Sequence, residues 1–192
     1  MIPAERQIAI EASLDNASPV EGSQYIGMAR RQRGRNPAST GPAERTLLVE
    51  RIFDAPRELV WRAWTDPRNA ERWWGPKGFE VVHLEMDVRP GGEWKKCMRR
   101  GDGLEAWRSG VFRAVEEPEK LTFTYRSDDQ RGIPGFETLV TITLEDLDGR
   151  TRLTLRQAVF ESVEARDSHQ GGWTSAIERL GEYLSQRTDR RG

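Results

Sequence analysis

The chain has 192 residues, of which 36% are hydrophobic and 32% charged, and its net charge is −1. This length fits one domain plus an extension, and so small a net charge does not favour nucleic acid or an anionic membrane as a partner. The one cysteine, Cys97, excludes an intrachain disulfide and a CxxC metal or redox motif.

The N-terminal segment differs in composition from the rest of the chain. Residues 1–44 contain no Trp or Phe, and residues 30–42 are rich in Arg, Gly, Pro and Ser. Such a segment buries too little apolar area to offset its ordering entropy, which predicts a disordered extension over residues 1–44. Its arginines are balanced by acids, so a solvated tail is favoured over a nucleic-acid contact.

No targeting signal is found in the sequence. The first residues contain acids and no apolar h-region, which is unlike a secretory signal. No stretch reaches the roughly 18 apolar residues that a membrane helix needs, so no membrane insertion is expected. With one cysteine, the chain suits a reducing cytoplasm.

The predicted elements begin with a β-rich strand over Thr46–Phe53. A helix follows, for which Asp54 is the expected acceptor at the N-terminus and Pro56 the first-turn residue. Asp66 then predicts the cap of a second short helix, with Pro67 in its first turn and its end near Trp73-Trp74.

Six further strands are separated by turn signals. Asp148-Gly149 is typical of a two-residue hairpin, and a longer loop covers Ser127–Gly135. Because the other connections are short, consecutive strands are expected to pair antiparallel. The predicted strands are Phe79–Val88, Glu93–Arg100, Leu104–Val115, Leu121–Arg126, Phe136–Leu144 and Thr151–Phe160.

A long helix closes the chain. Apolar residues recur with helical spacing from Trp173 to Leu184, and Glu161–Gln170 adds a helical turn or two before Gly171-Gly172. This helix is the only long element that can cover one face of the sheet. The prediction is one α+β domain over residues 45–188, in which a curved antiparallel sheet wraps the C-terminal helix, with a frayed tail over 189–192.

A series of short motifs, in a fixed order over about 140 residues, resembles a known family. That family is homologous to the C-terminal domain of the activator of the ninety-kilodalton heat-shock chaperone ATPase, within the START-like or SRPBCC superfamily. The motifs are Arg51-Ile-Phe-Asp-Ala-Pro56, Val60-Trp-Arg-Ala-Trp64, Ala70-Glu-Arg-Trp-Trp-Gly-Pro76, Asp87-Val-Arg-Pro-Gly-Gly92, Ser109-Gly-Val-Phe112, Pro118-Glu-Lys-Leu121 and Gly172-Trp173. Each motif is weak by itself, whereas the ordered series is specific.

The resemblance implies a helix-grip fold with a seven-stranded antiparallel sheet and two short helices after the first strand. It also implies a cavity between the sheet, the short helices and the C-terminal helix. Residues 1–44 have no counterpart in the resemblance.

Few residues of the sequence are suited to catalysis or metal binding. His83 and His169 are the only histidines, and neither has metal-ligand spacing or a recognisable triad. A structural residue is the favoured interpretation of His83, and a loop or cap residue that of His169. Cys97 lacks the surroundings of a nucleophile. We therefore expect no catalytic residue, no metal and no cofactor.

The abundance of aromatic residues is the most informative feature. Core packing accounts for some of the rings, and the wall of an apolar pocket for others. A large void is destabilising, so the cavity is either filled by the helix or occupied by water or a ligand. Ten cavity-lining residues are predicted: Trp64, Trp74, Trp94, Lys96, Met98, Phe112, Phe123, Tyr125, Trp173 and Ile177.

Polar candidates accompany the aromatic wall: Tyr125, Thr122, Thr124, Lys96 and Arg108. Strand alternation places Lys96 on the face of Trp94 and Met98. A lysine on a concave face indicates function, whereas a lysine at a sheet edge extends its amine to solvent, and the sequence favours neither.

Three functions remain open at this point. The leading one is a module that binds a hydrophobic or amphipathic small molecule under the C-terminal helix. The second is a module that interacts with a chaperone ATPase, which rests on the family resemblance alone. The third is a cyclase- or hydrolase-type enzyme using the same cavity, with His83, Tyr125 and Glu80 as the available acid–base groups. The oligomeric state is undetermined.

Overall fold

A computed structural model describes residues 41–128 and 134–188 of the chain. Most of the expected disordered extension, the 189–192 tail and the middle of the 127–135 loop lie outside these residues. Residues 41–45 form a hydrogen-bonded turn, in which the amide of Glu44 donates to the carbonyl of Gly41 at 3.1 Å.

The sheet has seven strands, all antiparallel to their neighbours, in the order β1-β7-β6-β5-β4-β3-β2. The expected antiparallel pairing of consecutive strands from β2 to β7 is confirmed, and β1 pairs with β7. The strands are β1 Leu47–Phe53, β2 Phe79–Met86, β3 Glu93–Arg100, β4 Glu105–Glu116, β5 Lys120–Asp128, β6 Pro134–Leu147 and β7 Arg150–Ala158.

The turn between β6 and β7 is the predicted two-residue hairpin. Asp148 has a φ of 54° and Gly149 a φ of 87°. Two successive residues with positive φ match the twist of the flanking strands, which is why an Asp-Gly pair favours this turn. The turn fixes the register of the two strands, and with it the set of β7 side chains that faces the core.

Two short helices follow β1, namely α1 Arg57–Thr65 and α2 Pro67–Ala70. The predicted cap of α2 is confirmed, since the Asp66 carboxylate accepts from the amide of Arg68 at 2.9 Å. The predicted role of Asp54 is wrong, because extended Pro56 is the N-cap of α1 and no side chain caps this end. Asp54 lies two residues before the cap.

The last helix, α3 Val163–Thr188, is longer than the apolar pattern predicts. It begins just after Ser162, whose hydroxyl accepts from the amide of Ala165 at 3.1 Å. It then runs through Gly171-Gly172, although each glycine costs about 1 kcal/mol relative to alanine in a helix interior. Tertiary contacts of the C-terminal half therefore override the break that the glycine pair suggests.

The core lies between the inner face of the sheet and the helices α1 to α3. Its centre is an aromatic core of five rings, packed edge to face, tilted or stacked with centroid distances of 4.6 to 6.4 Å. These rings are Trp64, Trp73, Trp74, Trp94 and Phe123. The helix-grip α+β fold is thereby confirmed. Among residues 41–128 and 134–188, no helix has the length and apolarity to cross a membrane.

Candidate functional site

A small cavity, the inner hollow, opens between the sheet and the N-terminal half of α3. Its free volume is about 30 Å³. Since a water molecule needs about 10–15 Å³ of such space, one or two water-sized groups fit. The lining residues are Trp74, Gly75, Pro76, Lys96, Met98, Arg108, Tyr125, Ser168, His169, Gly172, Trp173 and Ala176.

Lys96 enters the hollow from β3. Its side chain is buried, its Nζ donates to the carbonyl of Trp74 at 2.9 Å, and the same Nζ lies 4.3 Å from the centroid of the Trp74 ring. Burial, and then the charges of Arg108 and Arg179, hold the pKa of Lys96 well below its ordinary value. The strand alternation that placed this lysine on the inner face was correct.

Arg108 lies directly opposite Lys96 in the β3–β4 ladder. Only 2% of the residue is exposed. Its Nη1 donates to the carbonyl of Trp107 at 2.8 Å, and its Nε has no hydrogen-bond partner among the described residues. Two cationic side chains therefore reach the same small cavity from neighbouring strands.

His169 and Ser168 reach the hollow from α3. His169 Nδ1 lies 2.8 Å from the carbonyl of Ala165, and because a carbonyl only accepts, Nδ1 carries the proton. Burial lowers the pKa of His169 to about 4, with a smaller lowering by Arg108 and an opposing contribution from the Ala165 carbonyl. The ring is therefore neutral at pH 7. The buried Ser168 Oγ has no partner in the described parts of the chain.

A chain of buried hydrogen bonds fixes α3 to the sheet beside the hollow. Trp173 Nε1 donates to Gln157 Oε1 at 2.5 Å, and Gln157 Nε2 donates to Thr138 Oγ1 at 2.7 Å. Thr138 in turn donates to the carbonyl of Tyr125 at 3.0 Å. The polar atoms on the inner face of β5, β6 and β7 are thus connected, which sets the position of the Trp173 ring at the cavity wall.

A second cavity, the outer hollow, lies on the other side of Tyr125 and His169. Its free volume is about 210 Å³, and both residues line both cavities. The two rings have centroids 6.1 Å apart in an edge-to-face arrangement. The outer hollow adds apolar surface from Phe136 and Phe160. Tyr125 and His169 therefore form a partition between two adjoining spaces.

The ten residues predicted to line the cavity divide into two groups. Trp74, Lys96, Met98, Tyr125 and Trp173 line the inner hollow. The structure places the others in the hydrophobic core, each at most 1% exposed: Trp64, Trp94, Phe112, Phe123 and Ile177.

The other polar candidates are scattered. Arg108 is in the hollow, whereas Thr122 and Thr124 are not among its lining residues, and the Thr124 hydroxyl accepts from the amide of Val111 at 3.0 Å. His83 lies on the outer face of the sheet, with its ring centroid 5.6 Å from that of Trp107. Glu80 is exposed. The three acid–base groups of the enzyme hypothesis are therefore not brought together.

Cys97 is buried on the face of β3 opposite Lys96. Burial, and then the charge of Glu105, raise the pKa of its thiol to about 11. A thiolate is therefore scarce at neutral pH, as expected for a packed cysteine.

Sequence reasoning missed the contribution of α3 to the site. Ser168, His169 and Gly172 line the hollow because the helix continues through the glycine pair. A helical projection started at Ser162 places Ala165, Ser168, His169, Gly172 and Ala176 on one face, and that projection was the available signal.

Comparisons with known proteins agree with this architecture. The profile of the family described as Activator of Hsp90 ATPase homolog 1-like protein matches residues 54–185. A solved protein from Arthrobacter aurescens is 31% identical, over 77% of this chain and 90% of its own, with a TM-score of 0.69. A search of curated proteins found no match.

Two further solved structures are similar. A protein from Silicibacter pomeroyi is 28% identical over 74% of this chain and 99% of its own, with a TM-score of 0.68. A protein from Nitrosomonas europaea is 28% identical over 77% of this chain and 98% of its own, with a TM-score of 0.65. The similarity therefore covers nearly the whole length of these bacterial proteins.

Proposed function

Since the chain belongs to the family of Activator of Hsp90 ATPase homolog 1-like proteins, whose fold is of a ligand-binding type, we propose that it binds a hydrophobic or amphipathic small molecule between the sheet and α3. The ligand occupies the inner hollow and extends past Tyr125 and His169 into the outer hollow. No cofactor takes part in the proposed binding.

The observation that carries this proposal is the combination of groups at the inner hollow. Ligand sites are mostly apolar, with a few convergent polar groups. Here the rings of Trp74, Tyr125 and Trp173 line the same space as the side chains of Lys96 and Arg108. A cavity kept only by imperfect packing is normally lined by apolar groups, since a buried cation without a partner destabilises the fold.

The size of the hollows sets a condition on binding. The inner hollow admits a water-sized group, so it holds only one end of a ligand. The larger outer hollow holds the remainder, and a turn of the Tyr125 or His169 side chain joins the two. Small residues of α3, Gly172 and Ala176, line the inner hollow and leave space for such a movement.

The experiment is a screen of lipids, aromatic polyketides and flavonoids by tryptophan fluorescence and melting temperature. Ala176→Leu fills the inner hollow and should abolish every response, whereas Thr174→Leu, on the exposed side of the same helix, should keep them. No response of the natural sequence across a broad panel would count against the proposal. Equal responses of Ala176→Leu and Thr174→Leu would show that the ligand binds outside the inner hollow.

Binding of a chaperone ATPase, the alternative from the family description, makes a different prediction. It would use the outer surface, so Ala176→Leu should leave it unchanged. A pull-down of the cognate chaperone at micromolar concentration, with both variants, separates the two functions. Loss of capture with Ala176→Leu alone would contradict an outer-surface site.

A further inference from the structure

The inner hollow carries an excess of positive charge and of hydrogen-bond donors. Lys96 and Arg108 are each more than nine-tenths buried. In the described ranges 41–128 and 134–188, no carboxylate lies within 4.0 Å of either cation, and none of the lining residues is Asp or Glu. Buried charges in proteins are normally paired, because removal from water costs several kilocalories per mole.

Several polar groups at the hollow also lack hydrogen-bond partners. Arg108 Nε, Trp74 Nε1 and Ser168 Oγ have no partner among the described residues. The three hydrogens of a charged Lys96 amine have one hydrogen-bond acceptor in the described structure, the carbonyl of Trp74. Orphaned buried donors are rare in folded proteins, and each requires a physical explanation.

A third cation lies nearby, but its side chain has hydrogen-bond acceptors. Arg179, on α3, donates through Nη1 to the carbonyls of Gly75 and Phe79 at 2.8 and 3.0 Å, and through Nη2 to that of Arg72 at 3.1 Å. Its hydrogen bonds hold the segment before β2 against the helix. It adds positive potential at Lys96 while both of its terminal nitrogens donate to backbone carbonyls.

From these contacts we propose that Lys96 and Arg108 bind the anionic group of the ligand, and that the ligand is an apolar monocarboxylate. This inference rests on the proposed function and specifies its ligand class. A guanidinium and an ammonium facing one space suit a carboxylate, which accepts several hydrogen bonds at once. The apolar body of the ligand lies against Phe136 and Phe160 in the outer hollow.

The size of the inner hollow supports a carboxylate head in particular. The free volume of about 30 Å³ fits a group of two heavy oxygen atoms better than a sugar or a nucleotide. His169 is neutral at pH 7 and adds no further charge, so a carboxylate meets the Arg108 guanidinium and the Lys96 amine. A dicarboxylate would place its second charge among the rings of the partition or beyond.

The test compares probes that differ only in the head group. Binding of decanoate and decanol, and of naphthoate and naphthylmethanol, is measured by calorimetry. The carboxylates should bind about tenfold more tightly than the matched alcohols, or better, as expected for charge-assisted hydrogen bonds. Lys96→Met and Arg108→Met should each remove that preference and leave alcohol binding in place, which also shows that the variants are folded.

Matched controls come from the opposite face and the surface. Lys95→Met, on the outer face of the same strand, and Arg113→Met, an exposed position of β4, should keep the carboxylate preference. Equal affinity for carboxylates and alcohols would overturn the anion site while the proposed cavity function stands. No binding of any probe would overturn the proposed function itself, and the ligand class with it.

Discussion

The two halves of α3 lie on the same sheet but are built differently. Its buried residues all belong to the C-terminal half, from Trp173 to Leu184, which packs on β1 and α1. There a Cβ added at Gly181 would lie 2.9 Å from Nη2 of Arg51, at the end of a β1 side chain that reaches the helix. The N-terminal half, residues 163–172, has no fully buried residue, and it faces the two hollows.

This difference shows how the fold separates stability from binding. The C-terminal half excludes water from an apolar interface and contributes most of the helix's stabilisation. The N-terminal half brings Ser168 and His169 to a space that contains unpaired charge. Substitutions of buried residues beyond Ala176, such as Leu180, should therefore change mainly the free energy of unfolding, and substitutions of residues that line the hollows should change binding or pH dependence.

The largest expected effect is that of Leu180→Ala, since Leu180 is completely buried in the C-terminal half. The lost burial and the cavity left behind should lower the free energy of unfolding by about 2–5 kcal/mol. Urea denaturation followed by circular dichroism measures this. Gln170→Ala, an exposed position of the N-terminal half, should change it by less than about 0.5 kcal/mol. Similar values for both would remove the distinction between the halves.

The pH dependence of stability should report His169 in the N-terminal half, whose side chain lines both hollows. Its pKa is about 4 in the folded protein and about 6.5 when unfolded, so the unfolded chain binds the extra proton between these values. The stabilisation that the neutral ring provides is complete above pH 6.5. It is lost progressively as the pH falls from 6.5 to 4. The loss should be about 3 kcal/mol, at about 1.4 kcal/mol per pKa unit.

The control for this pH profile is His169→Gln. Carboxylates with lowered pKa, such as Glu105 beside Arg99, also lose stability in acid, so the difference between natural sequence and variant isolates the histidine. Parallel denaturation curves between pH 6.5 and 4.5 would show that His169 is exposed or already charged in the folded protein.

The sequence was informative where local chemistry decides the structure. The Asp148-Gly149 hairpin and the Asp66 cap follow from backbone preferences of a few residues. Alternation likewise placed Lys96 on the inner face. Alternation did not indicate which aromatic rings would line a cavity and which would pack against one another. That outcome depends on how closely α3 approaches the sheet, which is a long-range property.

The site on α3 could not be predicted for a related reason. Gly171-Gly172 suggests a helix end by propensity, yet packing of Trp173 and the following residues extends the helix across the pair. His169 therefore changes from an expected loop residue into part of the cavity wall. The direct pairing of Lys96 with Arg108 depends on the β3–β4 register, which neither residue specifies alone.

Without ligand, Lys96→Met should stabilise the protein, whereas Leu180→Ala should destabilise it, and the effect should be smaller. Burial lowers the pKa of Lys96, so at neutral pH the fold loses free energy, either by burying the charge or by releasing a proton that the unfolded chain keeps. A methionine of similar volume should raise the free energy of unfolding by about 1 kcal/mol at pH 7, despite the lost bond to Trp74. The gain should shrink as the pH rises through 10.5, above which lysine is neutral in the unfolded chain too. Destabilisation at every pH would contradict the unpaired charge.

The smallest expected effects belong to the glycine pair in the N-terminal half. Gly171→Ala and Gly172→Ala should each raise the free energy of unfolding by about 0.5–1 kcal/mol, because alanine restricts the unfolded chain and favours the helix. Thermal denaturation measures both. Only Gly172 lines the inner hollow, so only Gly172→Ala should also weaken decanoate binding. If both variants weaken binding equally, the glycines act through the helix backbone; if neither does, the ligand does not reach this part of α3.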